Sequence, residues 1–136
     1  MSRRLDDLNP WFKPLAIELL ARCVEAGIGV IIVDTLRTPE EHAENLRRGV
    51  SWTKHSKHLD GLAIDIAPYE QYALHGPDKI RWDEKDPVWL RIGLIGEQLG
   101  LRWGGRWGPP HGKKQPRVKA DLGHLEYIKP VDREEP

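Results

Sequence analysis

One cysteine, one methionine and one phenylalanine occur in 136 residues, and 21 basic residues are cancelled by 21 acidic ones. Each scarcity excludes something. Cys23, being alone, makes no internal disulfide and no thiolate metal cluster, so the chain reads as a protein of a reducing compartment that folds on its apolar core. With no surplus of positive charge, the bulk basic character of a dedicated nucleic-acid binder is missing, and a charged partner would have to be met by a local cluster. No run of about 18 apolar residues is present, which removes a membrane span and a membrane anchor from consideration. The opening "MSRRLDDLNPWFKP" carries arginines but no apolar h-region, so the expectation is a chain without a signal peptide, held in the cytoplasm. No repeat, linker or low-complexity tract divides the sequence. Its length suits one domain, residues 1–136, able to bury about two-thirds of its unfolded surface.

What is present is a succession of well-punctuated elements. "FKPLAIELLARCVEAG" sets Leu15, Leu19, Cys23 and Ala26 at helical spacing, with Gly27 as the stop. "IGVIIVDTL" is a β-branched run of strand length. "RTPEEHAENLRRG" follows, with Thr38 as N-cap, Pro39 at the first helical position and Glu41 completing a capping box, so that a strand delivers Arg37 to the mouth of a helix. "LAIDIA" alternates Leu62, Ile64 and Ile66 with Ala63, Asp65 and Ala67, a strand with one greasy face and one face of small residues around a carboxylate. After a polar connection over 68–85, "DPVWLRIGLIGEQLG" predicts a helix with Asp86 as N-cap, Pro87 at the first position and Gly100 as the stop. A glycine- and proline-rich loop then leads to a last strand near "GHLEYI". The expected fold is α+β, helices packed on a small, mostly antiparallel sheet.

Chemistry concentrates in "SKHLDGLAID", residues 56–65, where His58 and Asp65 flank Gly61. A catalytic zinc takes three His, Asp or Glu ligands and keeps a position open, and a loop histidine and a strand carboxylate brought together by a glycine turn suit two of them. Of the other histidines, His42, His55, His75, His111 and His124, only His124 sits in an apolar strand near further carboxylates, Asp121 and Glu126. It is the best third ligand. Spacing alone equally fits a surface His58, a strand-end Asp65 and a half-buried core His124.

The ordered segments resolve that choice by resemblance. "SKHLDGLAID" matches the S-x-H-x-x-G-x-A-x-D signature of the zinc peptidases that cut peptidoglycan stem peptides, a group holding the VanX and VanY D-alanyl-D-alanine peptidases and the phage L-alanyl-D-glutamate endopeptidases. "DTLRTPEEH" resembles the family's strand, arginine and helix segment, "LRWGGRWG" its Trp-Gly-Gly turn and "DLGHLEY" its terminal acid-x-x-His segment. Together they span residues 30 to 128. In its compactness the chain is most similar to single-domain phage endolysins, and the implied fold is that shared by the D-Ala-D-Ala peptidases and the Hedgehog signalling domain.

The resemblance implies Zn²⁺ held by His58, Asp65 and His124, with Asp121 as general base. It implies that Arg37 binds substrate and stabilises charge on the attacked carbonyl, for which a guanidinium's rigid, permanently charged fork is suited. Ser56 is expected to orient the ligand loop or the substrate. Glu126 is a rival base, though support of a ligand or of the fold suits it better. Trp103 and Trp107 are taken as wall or packing residues. The basic stretch Arg102 to Lys119 has no acidic residue and suits either a solvated loop or steering toward an anionic wall.

The implied function is hydrolysis of the L-alanyl-D-glutamate bond of peptidoglycan in host lysis by a phage or prophage endolysin, acting as a monomer after release from the cytoplasm. The alternatives are a D-alanyl-D-alanine carboxypeptidase or dipeptidase, and a zinc-binding module without catalysis, against which Asp121 and Arg37 argue. A metal nuclease is disfavoured by the neutral charge, and no nucleic-acid partner or membrane anchor is expected.

Overall fold

The computed structural model describes residues 2–48, 56–70, 80, 83–107 and 121–128. Within them the chain forms α1 (Lys13–Glu25), β1 (Val30–Asp34), α2 (Pro39–Arg47), β2 (Ala63–Pro68), α3 (Val88–Gln98), β3 (Arg102–Trp103) and β4 (His124–Glu126). The strands make one sheet in the order β1-β2-β4-β3, and every neighbouring pair is antiparallel. This is the α+β arrangement the sequence predicts. His55, His75, His111 and the basic residues beyond Trp107 lie outside the described residues.

Local signals explain where the helices begin and end. In α1, Ala16, Leu19 and Cys23 are buried and Leu15 packs beside them, while Gly27 takes φ 76° and stops the helix as a residue without Cβ can. Ala26, expected on the core stripe, is instead the exposed C-cap, because the last helical residue is Glu25 and the chain turns away at Ala26 and Gly27. Burial pushes the Cys23 thiol up to about 11, so the lone cysteine serves as core filler. The capping box of α2 forms as expected: Thr38 Oγ1 accepts from the Glu41 amide, and Glu41 Oε1 accepts from the Thr38 amide, both at 3.1 Å. Asp86 Oδ1 accepts from the Val88 amide at 3.0 Å and so does the N-terminal work at α3, whose regular part starts at Val88.

Helices α1 and α3 cover one face of the sheet, where Phe12, Leu19, Ile64, Ile66, Ile92 and Leu125 close the core. Glycines inside α3 let it lie close on the strands: a Cβ on Gly96 would come within 2.0 Å of Leu125 Cδ2, and one on Gly93 within 2.2 Å of the Trp103 ring. Each costs about 1 kcal/mol of helix propensity, which the close helix-to-sheet approach offsets. Strand β2 is covered on both faces, with Asp65 its only residue that is not fully buried. Its neighbours supply the reason, since β1 and β4 flank it and α3 and the 3-10 turn Lys57–Asp60 pack against it.

Register decides what that face carries. Asp34 pairs with Asp65 across β1 and β2, and Asp65 pairs with His124 across β2 and β4. Three polar side chains therefore form a row across three neighbouring strands, the first of them beyond an irregularity between Ile32 and Asp34. Among the described residues, no helix is long and apolar enough to cross a membrane.

Candidate metal centre

His58 reaches the row from the 3-10 turn Lys57–Asp60. Ser56 opens the turn by accepting from the His58 amide at 3.2 Å, and Gly61 closes it at φ 70°. Glycine is required there twice over, because a Cβ would also come within 2.8 Å of the Asn9 backbone nitrogen. The Ser56 hydroxyl thus caps the turn that carries His58.

The turn brings His58 Nε2 to 3.2 Å from Asp65 Oδ1, and His124 Nδ1 approaches the same oxygen at 2.9 Å. One ligand atom from each of His58, Asp65 and His124 lies within 4.8 Å of the others. Both imidazoles are oriented from behind. His58 Nδ1 donates to the Thr35 carbonyl at 2.7 Å, which leaves Nε2 to carry the lone pair, buried and without a hydrogen bond. His124 Nε2 donates to Glu126 Oε1 at 2.9 Å. These are the outer contacts that fix the tautomer of a metal-binding histidine.

The electrostatics ask for a cation. Burial alone would lower His124, but the carboxylates of Asp65 and Glu126 against its two nitrogens raise it to about 10. Burial likewise works to raise Asp65, and the hydrogen bond and charge of His124, with the nearby His58 adding to the pull, outweigh it, holding that carboxyl far below the usual carboxylate range. Two nitrogens and an oxygen converging in a field this negative, one nitrogen being a buried orphan, fit a divalent metal of the zinc type.

Asp121 stands at the edge of the trio. Its amide donates to the Gly104 carbonyl at 2.9 Å, and its own carbonyl accepts from the His124 amide at 3.2 Å, so a tight turn binds it to the candidate ligand. Burial, then the charge of Asp65, push its carboxyl upward, against the pull of His124, His58 and Arg37. It is not part of the ligand trio. The Trp-Gly-Gly turn serves this packing: a Cβ on Gly104 would lie 2.4 Å from the Asp121 carbonyl and 3.0 Å from His124 Cβ. Trp103 is a core residue whose indole donates to the Leu122 carbonyl at 2.8 Å. Trp107 packs beside the site, its ring lying 4.8 Å from that of His124.

Arg37 is pinned beside the site. Its backbone amide donates to the His58 carbonyl at 3.0 Å, Nη2 donates to Asp34 Oδ2 at 3.1 Å, and Nη1 lies 3.3 Å from His42 Nδ1. Asp34 and His42 were not legible as partners: both are buried, and Asp34 is pushed upward chiefly by that burial. Lys57 and Glu126 also meet at the site. Lys57 Nζ is 3.5 Å from Glu126 Oε2 and donates to the Tyr127 carbonyl at 2.8 Å.

Comparison with known proteins follows the same residues. The model of the phage L-alanyl-D-glutamate peptidase family matches residues 2–128. An L-alanyl-D-glutamate peptidase of Escherichia phage T5 is 35% identical over 108 residues, covering 71% of this chain and 74% of the relative. The peptidoglycan L-alanyl-D-glutamate endopeptidase CwlK of Bacillus subtilis is 34% identical over 139 residues, covering 90% of this chain and 74% of the relative. Among solved structures, the vancomycin-resistance D,D-pentapeptidase VanY, in complex with Zn(II), superposes with a TM-score of 0.61 at 17% identity, over 90% of this chain and 73% of that one. At that identity the likeness is one of fold.

Proposed function

We infer the activity from one premise: this chain belongs to the phage L-alanyl-D-glutamate peptidase family. It is a peptidoglycan endopeptidase, a hydrolase of stem-peptide bonds. The finer reading is that it cuts between L-alanine and D-glutamate, works with zinc held by His58, Asp65 and His124, and serves a phage or prophage as an endolysin. The observation that carries the metal is the convergence of those three side chains on Asp65 Oδ1.

Zinc bound there supplies Lewis acidity, which brings the deprotonation of water toward neutral pH. The rest is the work of the chain. Asp121, beside the trio but outside it, takes a proton from the attacking water and returns it to the leaving amine, a role a carboxylate fills when it sits next to the reacting atoms. Arg37 offers N–H groups to the oxygen of the attacked carbonyl or to a substrate carboxylate, and Asp34 and His42 hold its fork in place before substrate arrives. Ser56 keeps the His58 turn in register. The buried Thr35 carbonyl and Glu126 hold the two imidazoles.

Digestion of purified peptidoglycan, with products read by mass spectrometry and end-group analysis, tests the bond. New N-terminal glutamate, with alanine left on the muramyl side, is the expected result. Free D-alanine or D-alanyl-D-alanine, with the alanyl-glutamate bond intact, would assign the chain to the carboxypeptidase or dipeptidase reaction instead.

A second expectation concerns Arg37. Lysine keeps the charge but cannot bridge Asp34 and His42 while presenting a planar fork. Arg37→Lys should therefore cost about a hundredfold in turnover and leave metal content unchanged. An unaltered rate would reduce Arg37 to a structural partner of Asp34.

A further inference from the structure

The metal reading above gives one oxygen of Glu126 its work at His124 and leaves the partly buried ion pair of the other oxygen with Lys57 unexplained. Lys57 immediately precedes His58, and Glu126 lies two residues beyond His124, so the Lys57–Glu126 pair joins the two segments that carry the histidines. Lys57 adds a second tie to the same strand end through the Tyr127 carbonyl. The side chains are 18% and 8% exposed, which sets this pair apart from solvent-screened surface bridges. Glu126 divides its oxygens: Oε1 accepts from His124 Nε2 at 2.9 Å, while Oε2 faces Lys57 and, at 3.4 Å, Arg102 Nη1. Arg102 is 44% exposed and adds less.

From this arrangement we propose that Glu126, anchored by Lys57, is a positioning residue for the metal centre: it keeps the proton of His124 on Nε2, aims Nδ1 at Asp65, and fixes the separation of the two histidine-bearing segments. The inference rests on His58, Asp65 and His124 being the metal ligands. Two observations favour positioning over structural support alone. The oxygen that touches His124 is not the one that faces the cations, so the carboxylate is oriented rather than merely neutralised. The hydrogen bond also falls on the ring nitrogen turned away from Asp65, the place where an outer acceptor makes the opposite nitrogen a better donor to a cation. Sequence spacing marks Glu126 as sharing a strand face with His124, but Lys57 falls on a variable position of the motif and is visible only in three dimensions.

The test measures zinc affinity by chelator competition in the wild-type chain and in Glu126→Leu, Glu126→Gln, Lys57→Met and the Lys57→Met/Glu126→Leu double variant, with circular dichroism to establish that each is folded. Glu126→Leu should weaken zinc about 10- to 100-fold, the usual consequence of losing a histidine's outer partner. Glutamine can still accept the Nε2 proton through its amide oxygen, so Glu126→Gln should recover part of that loss. Lys57→Met should weaken zinc less than Glu126→Leu, and the double variant should be no worse than Glu126→Leu alone, because the lysine acts through the glutamate. Wild-type affinity in the folded Glu126 variants overturns the proposal. So does a glutamine variant no better than leucine, or a double variant whose losses add. Where the leucine variant fails to fold, Glu126→Gln and Lys57→Met carry the test, and wild-type affinity in both overturns the proposal. Failure of the wild-type chain itself to bind zinc would sink the metal reading, an outcome distinct from failure of the positioning role.

Discussion

Asp121→Asn is expected to keep the fold and bound zinc while losing about 10²- to 10⁴-fold in turnover, the range set by removal of a general base. The amide matches the carboxylate in size, so the turn that hydrogen-bonds Asp121 to Gly104 and His124 through the backbone is left intact. What disappears is the capacity to accept a proton from water and hand it on. Because Asp121 lies outside the trio of converging ligand atoms, zinc content should not follow activity downward. Glu126→Gln is the informative contrast. Its carboxylate is occupied by His124 on one oxygen and by Lys57 and Arg102 on the other, which leaves it poorly placed to shuttle a proton. Steady-state kinetics on a soluble stem peptide, with zinc measured on the same samples, decides between them. Near-normal turnover in Asp121→Asn beside a collapse in Glu126→Gln at full zinc occupancy would move the base to Glu126.

The contrast between those two acids shows where reading the chain succeeds and where it stops. Local chemistry is legible. The capping box at Thr38 and the positive-φ stops at Gly27, Gly61 and Gly100 follow from what neighbouring residues can and cannot do, and each appears where the sequence puts it. His58 and Asp65 are legible together, because a histidine, a glycine turn and a strand carboxylate lie within ten residues of one another, whereas His124, 59 residues beyond Asp65, is reached only through a second segment. What a motif does not carry is strand register. The placement of Asp34 opposite Asp65 depends on the pairing of β1 with β2 and on the irregularity between them, which no local spacing encodes. Tertiary placement adds the contact of Trp107 with His124, where the turn after β3 closes on β4, while the contact of His42 with Arg37 is local, five residues apart at the start of α2.

The largest stability effect should come from the three proposed metal ligands. A metal that binds the folded chain and not the unfolded one adds RT ln(1 + [L]/Kd), about 4 kcal/mol when free zinc is a thousandfold above Kd. For a domain of this size that corresponds to a rise in Tm of roughly 10–20 °C, seen on adding zinc to chelator-stripped protein. His58→Ala and His124→Ala should each abolish most of the rise, since each removes one of only three donors around a position that must stay open to water. Asp65→Asn should shrink it without erasing it, because the amide oxygen remains a weak donor while the charge that gathers both histidines is gone. Baseline behaviour separates these effects from ordinary damage. His58→Ala also removes the hydrogen bond to the Thr35 carbonyl, so its metal-free Tm should fall, whereas the missing zinc-dependent increment is an additional and independent loss. Calorimetry with and without zinc on all four proteins reads both quantities. A full zinc-dependent rise in His124→Ala would remove that residue from the ligand set. Its absence from the wild-type chain would show that the convergence on Asp65 Oδ1 holds a proton and not a metal.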